Sequence, residues 1–359
     1  MRSALAISGF AALAAALPQS IDFDALLTQV VSTEIPVGTA APTATYDSVT
    51  AVASAVAAAT EDPLALSKRS LQRRNSCSTA SSTDTAENFL ANTAYTDASS
   101  GAGSLSDYNT AFTSQQGATE GSGYITYTLL NADFKVGVDS YDVSTCASKC
   151  SSDPTCMGFN VFVERAPSCD PGTSGNPSNP ASQALLKCSL WGLPVHKDTA
   201  TNVGQWRGND FHVVITASNG YNKKTFVPKT VAGFDGPTAL KGAIQAKGYI
   251  GMRMFNVYDP AQCAALCTET TAFDKQHIQR TIVNDADHYS YDACNFFNVW
   301  ILTDVNKPQG MVCSMYQDIH TVGEDTNVGQ YRDDGYWSVT VSNGYALSKQ
   351  DPGKSLVGK

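Results

Sequence analysis

The sequence predicts an α+β protein in which one disulfide-stapled unit occurs twice, each copy a small antiparallel sheet crossed by a single helix. Three observations carry this. Cys146, Cys150 and Cys156 followed by Phe159-Asn160-Val161 return as Cys263, Cys267 and Cys294 followed by Phe297-Asn298-Val299, and a later cysteine follows each set, Cys188 and Cys313. The block Thr201 to Arg207 returns at Thr326 to Arg332, identical except that Tyr331 stands for Trp206. Each copy closes on Ser-Asn-Gly-Tyr, ending at Tyr221 and Tyr345. Cysteines in the same order around identical blocks mark a duplication, and duplication argues for binding before catalysis.

Residues 1–16 read as a secretory signal peptide. Arg2 supplies the positive charge, an alanine-rich apolar run extends from Leu5 to Leu17, and Ala14-Ala15-Ala16 offers small residues for cleavage. The run is too short to span a bilayer, which takes about 20 apolar residues, and no later stretch qualifies. Residues 17–74 read as a pro-segment, free of cysteine and rich in Ala, Thr, Ser and Val. It ends in two dibasic pairs, Lys68-Arg69 and Arg73-Arg74, which resemble the sites of kexin-type processing proteases of the fungal Golgi. All 10 cysteines lie after the second pair. Cysteines behind a signal peptide imply an oxidising compartment, so the expected location is secreted, extracellular or cell wall. The formal net charge of −9 disfavours nucleic acid and anionic lipid as partners.

Residues 75–122 read as a polar, extended N-terminal arm that packs on the first module, anchored by Phe89, Leu90, Tyr95, Tyr108 and Phe112. The first module is assigned to 123–222 and the second to 248–346, because Gly123-Tyr124-Ile125 matches Gly248-Tyr249-Ile250. Residues 223–247 between them read as a linker whose Pro237 to Lys241 makes a helical turn, and 347–359 as a tail. Each helix carries the first two cysteines of its copy. Asp142 and Asp259 are the expected caps, with Pro260 at the first helical position. Cysteines four apart fall on one helical face, and Asp153-Pro154 stops the first helix. Phe159 to Val163, Ser189 to Leu193, Phe211 to Thr216, Phe297 to Leu302 and Trp337 to Val341 read as strands. Asn219-Gly220 and Asn343-Gly344 read as turns. Two insertions separate the copies: Pro167 to Pro180, with the unmatched Cys169, and Thr268 to Ala293, with His277, Asp285, Asp287 and His288. Both are expected on loops.

A helix bearing C-x3-C, then a C-x2-F strand, then a C-x-L/M strand resembles the layout of PAN/apple domains. Here those elements are Cys146/Cys150, Cys156 to Phe159 and Cys188 to Leu190, then Cys263/Cys267, Cys294 to Phe297 and Cys313 to Met315. Cys156 to Arg165 and Lys187 to Val195 are also similar to secreted proteins of filamentous fungi with tandem apple-like modules. The long insertion before Cys294 and the extra Cys77 and Cys169 depart from the family layout. The resemblance implies the pairs Cys146–Cys188, Cys150–Cys156, Cys263–Cys313 and Cys267–Cys294. Cys77 and Cys169 are left over and can pair with each other. It also implies modules that bind carbohydrate or protein, so a non-enzymatic protein that recognises carbohydrate, with cell-wall glycan as the leading ligand, is the first expectation. The alternative is a protein–protein interaction or structural cell-surface protein.

Catalytic motifs are missing: no serine nucleophile elbow, H-E-x-x-H, P-loop or dinucleotide glycine fingerprint occurs. Asp285, Asp287 and His288 offer carboxylate and imidazole ligands but fall short of a metal site. Glu164 invites a glycosidase carboxylate pair, yet its counterpart in the second copy is Leu302, so a surface role is expected. C-x3-C offers two thiols to zinc, but a secreted chain oxidises them. No metal or cofactor is expected, and an enzyme with its site in 268–293 is the most distant alternative. The candidate ligand-binding residues are Trp206, Arg207, Tyr331 and Arg332. An exposed aromatic can stack on a sugar ring while a neighbouring guanidinium bonds its hydroxyls. The competing reading, that Gly-Gln-aromatic is a core strand signature, comes first, because repeated residues serve folding first.

The placement of Lys68-Arg69 and Arg73-Arg74 predicts a mature protein that begins at or near Asn75. N-terminal sequencing of the secreted protein checks this, and a start at Leu17 or its neighbours would remove the pro-segment.

Overall fold

Two antiparallel sheets of the same topology, each crossed on one face by a helix, account for most of the computed structural model. It describes Gly38 and residues 46–58, 77–173, 175–277, 283–285 and 288–356. The signal peptide and the processing residues Lys68, Arg69, Arg73 and Arg74 lie outside the described residues.

The first sheet comprises β1 (Tyr108–Gln115), β2 (Tyr124–Asn131), β3 (Gly158–Pro167), β4 (Ser182–Trp191), β5 (Gly204–Arg207) and β6 (Phe211–Lys223), in the order β1-β6-β3-β4-β2 with β5 beside β6. The second comprises β7 (Phe234–Leu240), β8 (Tyr249–Phe255), β11 (Phe296–Asp304), β12 (Lys307–Tyr316), β13 (Gly329–Arg332) and β14 (Gly335–Leu347). Substituting β7, β14, β11, β12, β8 and β13 for β1, β6, β3, β4, β2 and β5 reproduces the first order. Three short strands, β9 (Val283–Asp285), β10 (His288–Ser290) and β15 (Lys354–Leu356), make a separate sheet. The helices are α1 (Ser48–Ala58), α2 (Ala86–Ala91), α3 (Thr93–Ser100), α4 (Val143–Ser152) and α5 (Pro260–Gln276).

The crossing helices are α4 and α5. Asp142 accepts from the Thr145 amide at 3.0 Å to cap α4, and Asp259 accepts from the Ala261 amide at 3.1 Å to cap α5, with Pro260 at its first turn. The first two cysteines of each helix point at its sheet. Cys146 bonds Cys188 on β4 and Cys150 bonds Cys156; Cys263 bonds Cys313 on β12 and Cys267 bonds Cys294. Cys77 bonds Cys169, their Cα atoms 6.0 Å apart, and ties the arm to the first module.

Several expectations change. The arm is not extended: α2 and α3 fold onto the first sheet, Tyr95 is buried, and β1 is an edge strand of that sheet. The stretch read as a linker contains β7, so Pro237 to Leu240 is strand rather than helical turn. A proline lacks a ladder donor, and Pro237 sits at a register shift of an edge strand, where none is needed. Asn219-Gly220 and Asn343-Gly344 lie inside β6 and β14. The glycines serve close approach instead of a turn: a Cβ on Gly220 would lie 2.2 Å from the Phe112 ring, and one on Gly344 2.7 Å from the Phe296 ring. The 268–293 insertion begins as helix, because α5 runs on to Gln276.

A buried asparagine organises each sheet. Asn160 on β3 accepts the Thr119 amide at 2.8 Å and donates to Ser218 Oγ at 2.8 Å and to the Asn219 carbonyl at 2.9 Å. Asn298 on β11 accepts the Ile244 amide at 3.0 Å and donates to Ser342 Oγ at 2.9 Å and to the Asn343 carbonyl at 3.0 Å. Ahead of each Ser-Asn-Gly-Tyr, the chain bulges through a left-handed residue, Ala217 at φ 52° and Val341 at φ 49°. A buried tyrosine that precedes the helix cap donates to the bulge carbonyl: Tyr141 to Ala217 at 2.5 Å, Tyr258 to Val341 at 3.0 Å.

The modules also touch. Val257 of the second belongs to the first core, while Met157 and Leu193 of the first pack with Tyr258 in the second. Tyr258 donates its amide to the Gly192 carbonyl at 3.2 Å.

Replacing Asn160 with Ala strands the Thr119 amide and two acceptors on β6 in the interior. The loss should be roughly 2–4 kcal/mol, read as a lower denaturant midpoint. An unchanged midpoint would show that water replaces the amide at no cost.

Candidate functional site

The repeated Thr-Asn-Val-Gly-Gln-aromatic-Arg block builds the same hairpin in both copies. Asn202 forms a bridge with Ala118, and its Oδ1 accepts the Gly204 amide at 3.1 Å. Asn327 bridges Ala243 and accepts the Gly329 amide at 3.2 Å. The glycine is obligatory in this turn. Gly204 has φ 105° and Gly329 has φ 136°, and a Cβ on either would lie 2.2 Å from a carbonyl oxygen of the facing strand. A second latch closes the loop: Thr201 donates to Glu120 Oε2 and Thr326 to Gln245 Oε1, each at 3.1 Å. Four-residue strands then pair back on β6 and β14, with Trp206 opposite His212 and Tyr331 opposite Tyr336.

Both aromatics face solvent. Trp206 is 62% exposed and Tyr331 84% exposed, so the core-strand reading of the aromatic fails. The hairpin geometry common to both copies is carried by the glycine and asparagine rather than by burial of the aromatic. Trp206 stacks on His212 at 4.4 Å with the planes 7° apart, and Tyr331 leans on Tyr336 at 4.9 Å. Each ring is braced on one side and open on the other.

The arginines do not stand with the aromatics. Successive strand residues point to opposite faces. Arg207 reaches Asp170 at 3.4 Å in the Pro167–Pro180 insertion, and the Arg332 guanidinium lies over the Trp337 ring, 5.2 Å from its centre. The structure therefore brings together neither Trp206 with Arg207 nor Tyr331 with Arg332 as a shared contact surface.

Glu164 is the residue whose surroundings depart furthest from expectation. It is 2% exposed rather than a surface group, and its Oε2 accepts from the Lys187 ammonium at 2.8 Å. Lys187 is fully buried and lies 5.2 Å from the centre of the Tyr127 ring. Burial raises the Glu164 pKa and lowers that of Lys187, each in spite of the other's charge. In the second sheet the same two positions are Leu302 and Val312, both in an apolar cluster with Trp300 and Trp337. Beside this pair, Arg165 is buried over the Phe211 ring and donates to Asp84 of the arm at 2.9 Å. The signal for a buried pair was a charged residue aligned with an apolar one in both strands at once, at Glu164/Leu302 and Lys187/Val312.

Three histidines take structural places. His212 braces Trp206, His196 caps a short helical turn, and buried His320 faces Glu324 at 3.1 Å. Among the described residues no group of three or more His, Cys, Asp or Glu is placed to hold a metal, and no helix is long and apolar enough to cross a membrane. Asp287 and the side chains of Asp285 and His288 lie outside the described residues. Compared with family models, curated proteins and solved structures, the chain finds no match.

The second module supplies its own control for the buried pair. Lys187→Val alone leaves Glu164 buried without its cation and should cost about 3–5 kcal/mol. Glu164→Leu with Lys187→Val copies Leu302 and Val312 and should be neutral or stabilising, as a thermal melt of the two variants would show. Equal losses in both would mean that the pair is needed for the first sheet to form.

Proposed function

We propose that this chain is a secreted, non-enzymatic binding protein that recognises carbohydrate, with cell-wall glycan as the leading ligand, through two apple-like modules. The observation that carries this reading is the pair of equivalent hairpins, each holding an exposed aromatic braced from behind, at Trp206 and Tyr331. A flat ring fixed at low conformational freedom is the side chain best suited to stack on a sugar face. Five disulfides fit an oxidising, extracellular setting. The arginines enter this reading as supports. Arg207 braces its hairpin against the neighbouring insertion, and Arg332 packs on the facing strand, while the aromatics make the ligand contact.

Two equivalent contacts on one chain favour a long polymer over a small ligand, because the second contact is made at high effective concentration. Replacing Trp206 or Tyr331 with Ala should weaken binding to an insoluble wall polysaccharide at least tenfold, since a stacked aromatic is worth about 1–3 kcal/mol by analogy with base stacking. The melting temperature should barely move, because both rings are exposed. Pulldown on a panel of wall polysaccharides checks this. Undiminished retention of both variants would move the reading to protein partners.

A further inference from the structure

Two carboxylates of the modules are closed off by residues that precede the dibasic pairs. Glu164 Oε1 accepts the backbone N–H of Gly38 at 2.7 Å, while Lys187 holds Oε2. At the seam between the modules, Asp259 is fully buried and uses Oδ1 to cap α5. Its Oδ2 accepts from the Tyr46 hydroxyl at 2.8 Å, from the Ser48 hydroxyl and from the Lys229 ammonium at 3.3 Å. The Tyr46 amide donates to the Ile125 carbonyl of edge strand β2 at 2.8 Å, and α1 packs along α5. A cavity of about 470 Å³ opens beside these contacts, lined by Tyr46, Ser48, Thr126, Lys149, Asp153 and Lys229.

Each of these contacts is missing at the equivalent position of the other copy. Asp142 is the same cap in the first module, and its Oδ1 is bound from its own helix, by Ser144 at 2.8 Å and Thr145 at 3.0 Å. Leu302 fills the place of Glu164 in the second sheet with no carboxylate at all. Buried carboxylate oxygens demand donors. Gly38, Tyr46 and Ser48 supply one N–H and two O–H groups from a segment outside both sheets.

We propose that Gly38 and residues 46–58 are docked ligand elements of the folded modules, a strap that masks Glu164 and Asp259 while the chain is intact and becomes exchangeable once it is cut at the dibasic pairs. The site it covers takes a peptide that presents a main-chain N–H and hydroxyl donors ahead of and at the start of a helix, of which this segment is the built-in example. As a tethered segment it binds at high effective concentration, and cutting the tether removes that advantage. The proposal does not rest on the exposed hairpin aromatics, and its test leaves them untouched.

The test uses the full chain, produced uncut and then cut in vitro by a dibasic-specific protease. A fluorescent synthetic peptide of residues 36–58 is added to the cut protein and followed by anisotropy. Saturable binding is expected, either directly or by exchange for the resident fragment. A peptide carrying Tyr46→Phe and Ser48→Ala should bind at least about tenfold more weakly, because hydrogen bonds to a charged group are the strong ones. The chain carrying Glu164→Leu with Lys187→Val should keep its melting temperature and also bind the native peptide at least about tenfold more weakly. Absence of saturation up to about 1 mM overturns the proposal. So does unchanged affinity with both sets of substitutions. A cut chain that loses its melting transition also overturns it, because Gly38 and residues 46–58 would then be part of the fold rather than its ligand.

Discussion

One buried amide in each sheet fixes the path of the loop that leads to the exposed hairpin. Asn160 accepts the Thr119 amide and so pulls the loop after β1 over the sheet. That loop carries Ala118, which bridges Asn202, and Asn202 in turn holds the Gly204 amide that starts the exposed hairpin. The chain of contacts runs from Asn160 in the interior to Trp206 in solvent without a gap. The second sheet repeats it from Asn298 through Ile244, Ala243 and Asn327 to Gly329 and Tyr331. A buried side-chain amide has four hydrogen-bonding positions to satisfy, and partial satisfaction is costly. It therefore specifies a loop path as strictly as a disulfide does.

The two copies separate what the fold demands from what it tolerates. Asparagine, the bulge before Ser-Asn-Gly-Tyr, the tyrosine before the helix cap and the two internal disulfides occur twice in matching places. Those are the requirements of the sheet. Glu164 with Lys187, Arg165 with Asp84, and the Cys77–Cys169 bond occur only in the first copy. They cluster on or near the outer end of β3 and β4, where the arm and Gly38 arrive. Buried ion pairs seldom improve on apolar packing, and the Leu302/Val312 alternative shows that apolar packing was available here. Their retention in one copy points to a polar contact rather than to stability.

The sequence made the two crossing helices and the duplication plain, because those depend on short-range rules. Asp142 and Asp259 before the helices, cysteines four apart and Pro260 at a first turn are local signals with local causes. β1 and β7 escaped for the opposite reason. They are edge strands, rich in polar or small residues, and are held by long-range pairing with β6 and β14. Asn-Gly misled for a similar reason. Its usual meaning is a two-residue turn, but here the glycine makes room for Phe112 or Phe296 from a neighbouring element. The exposure of Trp206 and Tyr331 was not legible either, since period-two patterns identify a strand without saying which face is covered.

The cap aspartates bring these threads to one point. Asp142 and Asp259 are equivalent in the repeat and both hold the first turn of a helix. Only Asp259 lies at the seam, where Val257 enters the first core and Gly192 accepts the Tyr258 amide. That docking brings edge strand β2 of one module near the helix start of the other, so a single residue such as Tyr46 can bond Ile125 on one side and Asp259 on the other. Neither module alone offers that pair of groups. Duplication supplied two copies of a common cap, and the contact between the copies turned one of them into a binding position that the other lacks.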